Sequence, residues 1–395
     1  MMTMEKFKFT SFVIITLALV LTSCQKDIQV YKKDIQLNLP TENLDYINAN
    51  YASSLSESSR QVPQLLRNSG VTNEGAKLGR VLFYDTQLSL NNRVSCASCH
   101  DQKSAFADNK ALSVGFENKV TPRNSMAIVN PVVNNSLFWD SRSNSIENLI
   151  REPIQNHIEM GMESMEQLVK KLNSVEYYKP LVEEAFQAEE FTEQLVVEAL
   201  SQFLRSMVSM DSKFDKGSES GFSNYSELEL RGKDIFFSDH AKCSTCHKGI
   251  NFSAPDGNGG GSSISNSFIN QQDNSFGNSE YAGPEIMGTA NIGLDIVYAD
   301  NGFSNGQFKI PTLRNIGLTG PYMHDGRFET LEEVVDHYSD NMKLHQNLDD
   351  KFVQGDQVRL LKFDQNDKAA LVAFLNTLSD EDFVQAERFS DPFVR

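Results

Sequence analysis

Cys96-Ala97-Ser98-Cys99-His100 and Cys243-Ser244-Thr245-Cys246-His247 repeat one pattern, and that pattern decides how the chain is read. C-x-x-C-H is the attachment signature of c-type haem. The two thiols become thioethers to the haem vinyl groups, and the adjacent histidine reaches back to the iron as an axial ligand. Two residues between the cysteines span the porphyrin edge and set the next side chain over the metal. A single match is also what a redox or zinc dithiol beside a chance histidine looks like. Two matches take four of only five cysteines and point instead to two covalently bound c-type haems.

The same elements precede each motif. Ala76-Lys77-Leu78-Gly79-Arg80-Val81-Leu82-Phe83 carries apolar residues at helical spacing, Tyr84-Asp85 ends it, and a loop leads to the first motif. Ser226-Glu227-Leu228-Glu229 is a capping-box pattern that opens a helix running to Phe237, ahead of the second motif. Between them, 192–210 reads as one amphipathic helix, with Thr192 as N-cap and Leu195, Ala199, Phe203 and Met207 recurring along it. The last helices fall at 331–338 and 367–378. The predicted fold class is mainly α, with two tandem cytochrome c-like domains that each carry one haem. Residues 216–221 (Lys-Gly-Ser-Glu-Ser-Gly) read as a linker. This gives an N-terminal haem domain over 72–217 and a C-terminal one over 218–395, its last helix free to pack back on the first.

Composition fits a soluble protein with a large core: 395 residues, 39% hydrophobic. The balance of 36 basic against 53 acidic residues, net −17, argues against nucleic-acid binding and for a cationic partner if the partner is a protein. Residues 1–23 read as a targeting segment: Lys6 and Lys8 give a basic start, an apolar run comes next, and Leu21-Thr22-Ser23-Cys24 resembles a bacterial lipobox cleaved before Cys24. The fifth cysteine then carries lipid; the competing reading is an ordinary signal peptide. The expectation is an exported, periplasmic protein held to the membrane at Cys24. Residues 24–71 are a polar tether with a possible helix over 43–55. The stretch 251–308 is rich in Gly, Asn and Ser; such segments line a haem edge or a dimer face, which leaves a homodimer open.

Further segments carry a resemblance over about 72–380. Leu78-Gly79-Arg80-Val81-Leu82-Phe83-Tyr84-Asp85, Pro122-Arg123-Asn124-Ser125, Phe138-Trp139-Asp140 and Pro153-Ile154-Gln155-Asn156 belong to it. So do Ile158-Glu159-Met160, Pro311-Thr312-Leu313-Arg314-Asn315 and Pro321-Tyr322-Met323-His324-Asp325-Gly326. Together they resemble the bacterial dihaem cytochrome c peroxidases and their relatives, including the methylamine-utilisation dihaem enzyme. The resemblance implies peroxide cleavage at the His100 haem and electron handling at the His247 haem, with Trp139 between the two. It implies Glu159 as the distal carboxylate; a carboxylate buried beside haem has a raised pKa and serves alternately as base and acid. It also implies a calcium ion held by the Asn124 side chain and the carbonyls of Thr319 and Pro321, oxygen donors that suit calcium. Each has a plainer reading: Trp139 as a core aromatic, Glu159 as an exposed helix-start residue, Asn124 and Thr319-Gly320-Pro321 as ordinary turns. His157 is either an aid to proton transfer or an exposed loop residue.

Two positions depart from the pattern. In many of these peroxidases a loop histidine blocks the peroxidatic iron; Phe116 stands in its place here, and phenylalanine cannot ligate iron. The second concerns the ligand opposite His247. Tyr338 occupies the place where the peroxidases have a methionine and the methylamine-utilisation enzyme a tyrosine. By helical period Tyr338 shares the face of Leu331 and Val335, His337 falls off it, and Met342 returns to it if the helix continues. Ser339-Asp340-Asn341 reads as a helix end. Tyrosine is the expected ligand, with Met342 and an open site as rivals.

Three functions fit these residues. One is a peroxidase that reduces hydrogen peroxide with electrons from a small cytochrome or copper protein. Another is a peroxide-driven oxidase of a protein or organic substrate. The third is a dihaem electron carrier with no catalytic pocket. Glu159 opposes the third, Tyr338 favours the second, and the peroxidase ranks first.

Overall fold

The computed structural model describes residues 36–40, 44–48, 57–134, 137–253, 289–290, 308–345 and 348–394. Thr72 accepts a hydrogen bond from the Gly75 amide and starts the helix Asn73–Tyr84; Asp85 stops it and accepts from the Gln87 amide. Leu78, Val81, Leu82 and Phe83 are all buried, against the helix Glu193–Ser206, which Thr192 caps. The second half repeats this pair. The helix Glu227–Phe236, opened by the Ser226/Glu229 capping box, packs on the helix Gln365–Asn376.

Both crossings are made at glycine. A β-carbon placed on Gly79 would stand 2.0 Å from the Ala199 carbonyl oxygen and 2.6 Å from the Phe203 β-carbon. One on Gly232 would stand 1.8 Å from the Ala370 carbonyl oxygen and 2.8 Å from the Phe374 β-carbon. The obstacle is backbone, so no rotamer relieves it. Gly79/Phe83 with Ala199-Leu200/Phe203 recurs as Gly232/Phe236 with Ala370-Leu371/Phe374. Each haem motif therefore hangs between two helices pinned at one point, and the molecule is mainly helical with two cytochrome c-like halves.

Several boundaries differ from the sequence reading. The 192–210 helix stops at Ser206, with Met207 at ψ 71. The 216–221 stretch is mostly helix, Lys213–Glu219, fixed by a Ser212/Asp215 capping box. There Gly217 approaches the Phe222 ring too closely for a side chain. The helix expected over 331–338 is α-helical only for Leu331–Asp336 and continues as a π-helical turn, His337–Asn341. Most of 43–55, nearly all of 251–308, and Cys24 lie outside the described residues.

The chain end returns to the first half. Phe383 and Phe389 pack edge-on against Phe106, and Phe389 also meets Phe203. The Tyr84 hydroxyl donates to the Phe389 carbonyl and the Gln102 amide to that of Ala386. Buried polar contacts join the halves elsewhere. Arg314 forms a two-point ion pair with Asp215, at 2.8 and 2.9 Å. Asn130 donates to Asn251, and Ser209 is held by Asn130, Asn315 and Asp380. By itself, the unit made of 1–40 and 392–395 shows one short antiparallel ladder, Gln36–Leu37 with Phe393–Val394.

Candidate functional site

The two C-x-x-C-H segments adopt matching geometry. Cys96–Ser98 is a 3-10 turn and Cys243–Cys246 a single helical turn; the His100 and His247 amides close them onto the carbonyls of Cys96 and Cys243. His100 Nδ1 lies 2.7 Å from the Phe106 carbonyl, and His247 Nδ1 lies 3.0 Å from that of Phe252. A carbonyl only accepts, so the proton sits on Nδ1 and Nε2 keeps its lone pair for a metal. Each loop is closed by a β-bridge from the residue after the histidine, Asp101 to Ala107 and Lys248 to Ser253. Both Phe106 (φ 61) and Phe252 (φ 47) take the left-handed conformation that presents the carbonyl. Sequence reading missed these two residues. A phenylalanine five or six places after each motif histidine was the available signal.

Both motifs open on one connected cavity of about 700 Å³, whose lining includes Cys96, Cys99 and His100 as well as Cys243, Cys246 and His247. Burial pushes the Cys96 and Cys243 thiols up to about 12. A redox dithiol needs the opposite shift. Among the described residues no cluster of three or more His, Cys, Asp and Glu could hold a metal ion, so a zinc site lacks further donors. A mostly apolar cavity, two vicinal thiol pairs and two oriented imidazoles fit two c-type haems.

Glu159 lies on the cavity wall. An Asx turn at Asn156 places it: Asn156 Oδ1 accepts from the Ile158 amide, and its Nδ2 donates to Glu159 Oε1 at 3.1 Å. Burial raises the Glu159 pKa, the Arg142 cation opposes this, and Glu152 adds to it. Arg142 is fixed by Asp140 at 2.9 Å and Glu152 at 2.7 Å. The Phe116 amide donates to the Glu159 carbonyl, and the Phe116 ring rests on Gly161 (φ 73), where a β-carbon would come within 2.7 Å. Phe116 is not on the cavity wall, and His157 is exposed.

Trp139 lies on the same wall, its indole donating to the Asn124 carbonyl at 2.9 Å. Its ring meets Phe308 and His324 edge-on, and those two stack at 4.1 Å. The Asn124 amide group donates to the carbonyls of Lys110 and Ala111, which turns Oδ1 away from them. Asn124, Thr319 and Pro321 all border the cavity. Tyr338 does too, and burial with the nearby Cys246 and Cys243 holds its phenol well above the usual range. It belongs to the π-helical turn, which carries one residue more than an α-turn and so rotates the residues beyond it. Met342 accordingly packs with Leu348 and Phe352, off the cavity wall, and His337 is buried against Phe328.

The methylamine utilization protein MauG of Methylorubrum extorquens is 31% identical over 315 residues, 79% of this chain and 80% of that protein. The chain belongs to the di-haem cytochrome c peroxidase family. The family's own model, di-haem cytochrome c peroxidase, matches residues 73–220. Cytochrome c551 peroxidase of Nitrosomonas europaea is 30% identical over 307 residues, 78% of this chain and 80% of that one. A solved MauG-like protein associated with microbial copper homeostasis aligns at TM-score 0.67 with 28% identity, over 92% of this chain and 99% of that one. As a member of this di-haem family, the chain is an oxidoreductase with two c-type haems.

Proposed function

We propose that this di-haem peroxidase reduces hydrogen peroxide to two waters beside His100, taking up two electrons and two protons. The observation that carries the reading is a half-buried carboxylate, Glu159, on the wall of the cavity that His100 and its cysteines also line. Cys96, Cys99 and His100 hold one haem; Cys243, Cys246, His247 and Tyr338 hold the other. When bound, the haem irons supply the redox centre for cleaving the peroxide bond and for passing electrons. Glu159 takes the proton from one peroxide oxygen and returns it to the departing one. Asn156 holds Oε1, so Oε2 is left to face the reactant. Phe116, packed on Gly161, has no atom that could ligate an iron held at His100. The test is peroxide consumption by the oxidised holoprotein, followed by turnover with a reduced cytochrome or copper protein. A protein that ignores peroxide until it has been reduced would defeat the assignment of Phe116.

A second reading, peroxide-dependent oxidation of a protein or organic substrate through Trp139, is favoured by Tyr338. A phenolate ligand stabilises oxidised iron, whereas a thioether favours the reduced form. Tyr338→Phe is expected to remove the low-spin signature of the second haem, and Tyr338→Met to raise its potential and speed turnover with a reduced cytochrome. An unaltered spectrum in Tyr338→Phe, with the loss appearing in Met342→Ala, would return the chain to the simple peroxidase.

Calcium belongs to the same proposal, at Asn124 Oδ1 and the carbonyls of Thr319 and Pro321, as do export and a lipid anchor at Cys24. The acidic surface supports a cationic donor protein. A homodimer is compatible with this reading.

A further inference from the structure

Lys309 has no part in the scheme above. It is 7% exposed and lies on the cavity wall, in the short strand Phe308–Lys309, where its amide donates to the Trp139 carbonyl at 2.7 Å. The nearest polar partner of its ammonium is the Ile310 carbonyl, at 3.4 Å. Among the described residues no carboxylate pairs with it. A buried cation without a counter-charge is costly, and burial alone pushes this one down to about 8. The charge is close enough to bear on His247, which lines the same wall as Lys309 and Pro311. The cavity thus offers a fixed positive charge on the second-haem side, with its anion to come from whatever binds there.

We propose that Lys309 is the carboxylate-binding cation of this cavity, pairing with a propionate of the haem held by Cys243, Cys246 and His247 and keeping that haem's reduction potential up. The inference rests on the two-haem reading. Lys309 acts through the cofactor's electrostatics, as a positioning residue. Without the ammonium the propionate charge is uncompensated, the oxidised iron is favoured, and the potential falls.

The experiment is a spectroelectrochemical titration of the purified holoprotein, with haem content read by intact mass. Lys309→Met is expected to lower the potential of the His247 haem by an amount equal to about tenfold in its reduction equilibrium, roughly 59 mV for one electron. The His100 haem should move less, and Lys309→Arg should stay near the wild type. Should Lys309→Met lose its second haem, Lys309→Gln, uncharged but still hydrogen-bonding, carries the same comparison. An unchanged potential in a fully loaded uncharged variant overturns the proposal. A wild-type potential that tracks added acetate, with the response absent in Lys309→Met, means that a free carboxylate fills the site and overturns the propionate pair. A wild-type mass lacking two haems would instead defeat the two-haem reading itself.

Discussion

Glu159→Gln is expected to slow peroxide cleavage by about 10²–10⁴-fold while leaving both haems attached. Glutamine keeps the size of the side chain and its bond to Asn156 but loses the titratable proton. The pH profile separates this from a packing defect. Burial holds the wild-type carboxyl above its ordinary value of about 4.3, so the base form accumulates only as pH rises through the raised pKa. The wild-type rate should climb through that inflection, and the variant should show none. Stopped-flow mixing of oxidised protein with peroxide measures both. A variant that reacts at the wild-type rate would hand the proton to a water chain or to His157, whose exposure counts against it.

Arg314→Met is expected to destabilise the protein by about 3–5 kcal/mol, because it strands the Asp215 carboxylate in the interior. Arg314 and Asp215 are both buried; the guanidinium reaches both carboxylate oxygens and the Ile250 carbonyl, and Ser212 donates twice to Asp215 Oδ2. Arg314 and Ser212 hold the wild-type Asp215 pKa below the usual range, so its contribution is fully present above about 3.9 and is lost as pH falls through the lower folded value. In the variant, burial without the cation raises that pKa. The penalty is then greatest at neutral pH and shrinks as the carboxyl protonates. Denaturant midpoints of the holoprotein across acid pH test this; a gap between wild type and variant that widens on acidification would rule out the account. Asp215→Asn combined with Arg314→Met should recover part of the loss.

The haem motifs were legible because thioether attachment imposes a local spacing that no packing context can replace. Trp139 and Glu159 stand out in the sequence only because their neighbouring segments match a family pattern. The Phe106 and Phe252 carbonyls, and Lys309, act through backbone groups or through burial, which the letters do not display. The helix end placed at Ser339-Asp340-Asn341 has a tertiary cause. Ser339 receives hydrogen bonds from the Lys362 and Phe363 amides, and Lys368 bridges Asp336 and Asp340 across the widened turn. Linker composition misled at 216–221 for a related reason: Gly217 is there to allow close packing, beside a buried ion pair.

The polar seam between the halves also decides how reactants arrive. Besides the Arg314–Asp215 pair, the hydrogen bonds that cross it include Asn130 to Asn251, Asn251 to Asn134, Ser209 to Asp380, Asn315 to Ser209 and Asp211 to Asp380. At about 1 kcal/mol net for each, those five alone would hold a hinged-open form below roughly one molecule in several thousand. Catalysis therefore runs in a rigid frame. A two-oxygen reactant is small enough for a cavity of about 700 Å³ and needs no such opening. A folded donor is far too large for that space, so its electrons have to cross the protein that separates it from the cavity.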